Sequence, residues 1–472
     1  MKIYKLKLAF VITIVLLLAM GNGAVAASGG GAVYEVFPTG NSVQDVQNVQ
    51  AAIDGAADGD TILLKAGTFN FGDWKTNPIP GGYIVINKGV TVKGEGFSKD
   101  GTPRTIIQGG GYRQKNHWDN CEWGVVTFAG DTSGGVLKEV WLQEPHFYAV
   151  FASGFCGQNH ENITIRNVKI TDITQDIPVW DQYSSIGRSI DMGAAVPEYG
   201  MGGPSGTVTI EGCDISNTGS SVDLDYIDPD NGTLYYKDPT GNDLFSNDSQ
   251  AIGLWMYSTT SFVIHDNKLT TQNEGIVMEA MAGSGSILIT DNDIIVEPTN
   301  LTRHWMRGIR FDASYPGMVD TPYTRAVRIT DNHIRVLAEP EVGFLSAGIM
   351  LGTDNGVNVY DGQTFVKGNE IEILGGDAAL VFGYNRGPDW VSVLTGAEIR
   401  NNRIRGTARY GILSVDGAQY CKIFGNKLAR FEPSVAHIGF YGPGTHDNTV
   451  RGYTGVVIEA DGAYNNHFTG KK

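Results

Sequence analysis

One short phrase recurs along most of this chain: an aliphatic residue, two polar or glycine residues, an asparagine, one more polar residue and a second aliphatic. It reads Ile264-His-Asp-Asn267-Lys-Leu269 and returns around Asn292, Asn332, Asn369, Asn402 and Asn426. Self-similarity at roughly 20–50 residues is the mark of a solenoid and is weighed before any local reading. Successive asparagines are 25, 40, 37, 33 and 24 residues apart, so the repeat is a coil of variable circumference with loops let into it. Two aliphatics around a polar bend, with a second β-rich run such as Gly275-Ile-Val-Met-Glu279 upstream, give two or three short strands per repeat. Asparagine at the bend tolerates a left-handed backbone, and stacked asparagine side chains can hydrogen-bond along the stack. Fainter copies place Val168 and Cys213 at the asparagine position upstream, and Asn448 and Asn466 extend the array downstream.

These repeats, with the opening Val46-Gln-Asn-Val-Gln-Ala-Ala-Ile53 and the following Asp60-Thr-Ile-Leu-Leu-Lys-Ala-Gly67-Thr-Phe69, resemble the pectate-lyase-like right-handed parallel β-helix superfamily. The resemblance implies an all-β, single-stranded solenoid closed at one end by an N-terminal capping helix. It is specific for fold and not for activity, because the superfamily holds lyases, hydrolases, epimerases, phage tailspikes and proteins without chemistry. The hydrolase set of Asn-Thr-Asp, paired Asp-Asp, Gly-His-Gly and Arg-Ile-Lys is missing from this sequence.

Lys2, Lys5 and Lys7 precede an apolar run over residues 8–20, and Ala24-Val25-Ala26 follows as a small-x-small cleavage site. Residues 1–26 therefore read as a secretory signal peptide, the run being short for a membrane span, with an uncleaved anchor as the alternative. The mature protein is expected to be secreted or displayed outside the cytoplasm, and residues 33–472 to form one domain. A net charge of −16 argues against nucleic acid or an anionic membrane as partner, since both require a basic surface. An acidic polysaccharide would require local basic clusters or bridging calcium. Four cysteines are too few for a disulfide scaffold in a chain this long. Cys213 is expected in the wall, and Cys121 with Cys156 is the pair closest to a bridge.

Ser42 reads as the cap of a helix whose apolar positions are Val43, Val46, Val49, Ile53 and Ala57. Long inserts at about 172–206 and 217–250 interrupt the coil, and their aromatic content favours a functional role over disorder. The second carries a run of aspartates from Asp223 to Asp248 whose oxygens suit calcium, although an acidic solvated loop is the plainer reading.

Strand alternation assigns the site. With Ile252, Leu254, Ile276, Met278, Ile309 and Phe311 pointing inward, Trp255, Glu279, Arg310 and Asp312 point outward on successive coils. Carboxylates on neighbouring coils would be about 5 Å apart, a spacing that serves acid/base work or a bound cation. His304, Trp305 and Arg307 are read as a loop overhanging this face, and Asp191 as an outward residue two coils earlier. Tryptophan would stack on a sugar ring, arginine hold a carboxylate, and Glu279 and Asp312 move protons. The alternative is a solvated surface ladder in which Arg310 pairs with Glu279 and Asp312. Two functions are consistent with this pattern: a polysaccharide lyase or glycosidase, and a non-catalytic cell-surface or structural β-helix protein that binds glycan.

Overall fold

In each coil the chain turns through three short strands, and each strand stacks in parallel on its counterpart one coil later. One coil runs Ser261–His265, Lys268–Thr271, Glu274–Glu279 and the next Ser286–Thr290, Asp293–Val296, Arg307–Phe311. Their registers align Ile264 with Ile289, Leu269 with Ile294 and Ile276 with Ile309. The result is a right-handed parallel β-helix with three faces, called first, second and third in the order the chain meets them. The computed structural model describes residues 24–25, 31–72, 82–111, 124–130, 132–145, 148–153, 160–173, 185–193, 204–217, 247–255, 260–279, 285–297, 306–311, 326–338, 346–352, 358–361, 363–387, 390–453 and 455–470. Among them the strand Ser185–Gly193 runs inside the expected first insert and belongs to the third face. Cys121 and Cys156 lie outside the described residues.

The core is a column of stacked aliphatics, with Ile264, Ile289, Ile329, Val366 and Ile399 all wholly buried. Beside it, at the corner between first and second faces, the repeating asparagines form a continuous ladder. Each Nδ2 donates to the Oδ1 of the next asparagine at 2.9 Å, from Asn267 through Asn292, Asn332, Asn369 and Asn402 to Asn426. Each also donates to a carbonyl oxygen of the preceding coil, as Asn332 does to Ile289 at 3.0 Å. The left-handed residue of the bend is the one before the asparagine: Asp266, Asp291 and Asp331 have φ of 56°, 55° and 56°. The expected left-handed asparagine is thus corrected by one position. The short acidic side chain takes the strained backbone, and the asparagine keeps the geometry its two-sided amide needs. Asn448 and Asn466 form a second ladder, joined at 2.8 Å, at the corner that enters the first face.

Cys213 stands at the head of the first ladder and donates its backbone N–H to Asn267 Oδ1 at 2.9 Å. Cys421 stands likewise on Asn448. Both are free and buried, and burial pushes both thiols up to about 12. Neither is expected to react with a thiol reagent in the folded protein, and both are expected to label on denaturation, as followed by peptide mapping. Labelling of either in the folded state would show that the wall opens at that coil.

The helix Ser42–Gly55 closes one end, with Asn41 rather than Ser42 as its N-cap. Val46, Val49, Ala52 and Ile53 face the core, whereas Val43 is exposed and Ala57 lies beyond the helix. Wholly buried Asp45 accepts from Asn70 N at 2.8 Å, and Gln50 both accepts from Val85 N at 2.8 Å and donates to Val85 O. Helix side chains therefore satisfy backbone groups that would otherwise leave a sheet edge open. No described helix is long and apolar enough to cross a membrane.

Candidate functional site on the third face

The third-face strands enter through a glycine that the packing requires. A Cβ on Gly275, Gly308 or Gly348 would come within 2.3–2.4 Å of a second-face isoleucine methyl and within 2.5 Å of a carbonyl oxygen on the next coil at Gly275 and Gly308. The glycine lets the wall turn tightly, and the residue just before it is carried to the outside. Two outward rows result. One aligns Arg188, Gln250, Glu274, Arg307 and Ala347; the other aligns Asp191, Gly253, Val277, Arg310 and Met350.

Between these rows lies a network of charged side chains that is closed off from solvent. Arg188, Asp191, Gln250, Glu274, Arg307 and Arg310 are each 5% exposed or less. Arg188 Nε donates to Gln250 Oε1 at 2.7 Å, and its Nη1 donates to Asp191 Oδ2 at 3.2 Å. Gln250 Nε2 donates to Glu274 Oε2 at 2.9 Å. Glu274 Oε1 accepts from Arg310 Nη1 at 3.1 Å and from Arg307 Nη1 at 3.5 Å. Glu274 is the hub, held by an amide from the coil before it and two guanidinium groups from the coil after it.

One coil further on, the same rows become apolar. Ala347, Met350, Ala378, Val381, Leu413 and Ala436 form a buried cluster of their own, outside the central core. Tyr410 and Tyr441 close it, their hydroxyls 3.0 Å apart, and burial together with that contact raises the Tyr441 pKa. One face thus carries two chemistries on one backbone frame.

The expected site residues divide accordingly. Trp255 and Glu279 are Cα partners at the ends of neighbouring strands. Asp191 shares a row with Arg310 but, expected on an outward surface, is wholly buried against Arg188. Arg307, expected in an overhanging loop, is instead the first residue of a strand and wholly buried. Arg310, expected on an exposed stripe, is buried with Glu274 as a carboxylate partner. Asp312, His304 and Trp305 lie outside the described residues, as do Asp223, Asp225, Asp228, Asp230, Asp238 and Asp243. Sequence reasoning missed Arg188, Gln250 and Glu274, whose signal is the residue preceding a small residue and an isoleucine: Arg188-Ser-Ile190, Gln250-Ala-Ile252, Glu274-Gly-Ile276, as in Arg307-Gly-Ile309. Among the described residues, no group of three or more His, Cys, Asp or Glu could hold a metal ion.

No protein-family model matches the chain, and no curated protein matches it. Among solved structures it is similar to the mannuronan C-5 epimerase A-module of Azotobacter vinelandii, at 15% identity and a TM-score of 0.36, covering 86% of this chain and 95% of that one. It is similar to the Dettilon tailspike protein at 10% identity and a TM-score of 0.46, covering 92% and 68%. It is also similar to PfbA, a surface adhesin of Streptococcus pneumoniae, at 11% identity and a TM-score of 0.42, covering 91% and 87%.

Proposed function

We propose that this pectate-lyase-like β-helix protein is an exported, polysaccharide-directed protein whose site lies at the strand ends of the third face, with Trp255, Glu279 and Asp312 as its working residues. The observation that carries the reading is the change of chemistry along one face. A solenoid wall does not need buried ion pairs, since Ala347, Met350, Ala378 and Val381 fill the same rows and pack without them. Buried ion pairs are expensive to desolvate and are often replaceable by apolar residues at no loss of stability. The presence of this network across four coils and its absence from the next is best explained by a requirement other than folding. A network of this kind holds the strands that carry it in one geometry, which binding and catalysis both demand.

In this reading Trp255 stacks on a sugar ring, Glu279 and Asp312 transfer protons or take calcium with their oxygens, and His304 flanks the site. Glu279→Gln and Asp312→Asn are each expected to abolish turnover while leaving the circular dichroism spectrum unchanged. The assay is a panel of acidic and neutral polysaccharides, with calcium and with chelator, followed by ultraviolet absorbance of unsaturated products and by new reducing ends. Absorbance marks a lyase and reducing ends alone mark a hydrolase; full activity in both variants would sink the assignment. A second reading, glycan binding without chemistry, is favoured by the burial of Arg188, Arg307 and Arg310. It predicts binding with no product in either channel.

A further inference from the structure

We infer a second glycan-directed surface on the first face, far along the solenoid: a basic stripe shaped for a linear acidic polysaccharide. It does not depend on the third face having an activity. The outward rows of five consecutive first-face strands carry Arg328, Lys367, Arg400, Lys422 and Arg451. Lys367 and Arg400 are direct neighbours in one row, which Phe424 and Arg451 continue. The one carboxylate in these rows is Glu398, 3.6 Å from Arg400 Nε and 3.9 Å from Lys422 Nζ. Arg328, Lys367 and Arg451 are exposed and have no ion-pair partner among the described residues.

Elsewhere on the described strands, most stacked cations have an acidic neighbour. On the first face nearer the helix, Lys93, Lys138 and Arg166 stack in one row, but Lys93 lies 3.8 Å from Glu139 and Arg166 pairs with Glu211. On the second face, Arg405 lies 2.9 Å from Glu370 and 3.4 Å from Glu372, and His333 lies 2.8 Å from Asp293. The corner residue adds to the contrast. It is aspartate at Asp266, Asp291 and Asp331, where the adjoining row residue is His265, Thr290 or Thr330. It becomes Gly368, Asn401, Gly425 and Gly452 beside Lys367, Arg400, Phe424 and Arg451. From Gly368 to Gly452 the corner position itself carries no acid, in a chain whose net charge is −16.

The occupant follows from this geometry. Cations repeating at the strand spacing of about 4.8 Å match a regular, extended polyanion, and guanidinium groups bind carboxylates through paired hydrogen bonds. The arrangement disfavours single-stranded nucleic acid, which requires free aromatic faces for its bases. Here Arg328 sits over the Phe365 ring at 6.0 Å and Arg400 over Phe424 at 5.8 Å. A polyuronate chain asks only for the cations.

The test measures binding of the full chain to polygalacturonate across a salt series, with dextran and oligothymidylate as comparators. Wild-type protein is expected to bind polygalacturonate, to ignore dextran and to release as salt rises. The variant combining Arg328→Gln, Lys367→Gln and Arg451→Gln is expected to bind at least about tenfold more weakly, with a salt slope lower by roughly three. Arg403→Gln, at an exposed cation paired with Glu370 on the second face, is expected to bind as wild type. Undiminished binding by the triple variant, or tighter binding of oligothymidylate than of polygalacturonate, overturns the proposal. Glu279→Gln serves as the counterpart: binding lost there but kept in the triple variant assigns the polymer to the third face alone and also overturns it.

Discussion

Replacing Glu274 with alanine is expected to destabilise the protein by about 3–5 kcal/mol, the cost of removing one partner from a buried ion pair. Its carboxylate meets Arg310 at 3.1 Å, Arg307 at 3.5 Å and Gln250 at 2.9 Å, and all four residues are 3% exposed or less. Alanine would leave two guanidinium groups and an amide facing a cavity. Glu274→Gln keeps the shape and one carbonyl acceptor, so a smaller loss is expected, read as a smaller drop in the urea midpoint. The informative variant changes both partners' coils together. Glu274→Ala with Arg307→Ala and Arg310→Met reproduces the residue types that Ala347 and Met350 place in the same rows. It is expected to recover most of the stability lost in Glu274→Ala, because the two guanidinium groups that Glu274 pairs are removed with it. A triple variant as unstable as the sum of its parts would mean that the ion pairs themselves hold this region together. If stability is recovered while glycan binding or turnover is lost, the network serves function at no benefit to folding.

The second large effect is expected within the asparagine ladder. Asn332 Oδ1 accepts from Asn292 N at 3.1 Å and from Asn292 Nδ2 at 2.9 Å, while its own Nδ2 donates to Asn369 and to Ile289 O. Asn332→Ala orphans the buried Asn292 N–H and Ile289 carbonyl together. Each unsatisfied buried group costs about 1–3 kcal/mol, so a loss of about 2–5 kcal/mol is expected. Asn426→Ala should cost less than half as much. Asn426 is the last rung and is half-buried, so water can replace the bonds that its removal frees. Equal losses at Asn332 and Asn426 would count against the ladder as a cooperative column and leave it a row of independent contacts.

Much of the architecture was legible beforehand, for a definite reason. An inward aliphatic at every second position and an amide at every corner repeat in the sequence because each coil solves the same packing problem. Hence Ile252, Ile276, Ile309 and the asparagine column fall where periodicity places them. The left-handed residue and the helix cap were each misplaced by one position, since Asp266 and Asn267, or Asn41 and Ser42, have similar turn and cap propensities. The third-face network was harder to see. Reading each strand from its glycine onward discards the residue before it, which is where Gln250, Glu274 and Arg307 stand.

Local chemistry along the chain was therefore sufficient for the parallel β-helix, its capping helix and the inward column, because those follow from short-range periodicity and from the hydrogen-bonding capacity of asparagine. Which polar residues meet could be settled only by the folded coil. Coil length varies with the loops let into it, so distance along the chain does not count coils. Register alone brings Arg188, Gln250 and Glu274 side by side. Once they are together, solvent exclusion turns residues that would be an ordinary charged surface into a buried network, while on the first face the register stacks Lys367 beside Arg400 and leaves Lys367 and Arg451 without an ion-pair partner among the described residues.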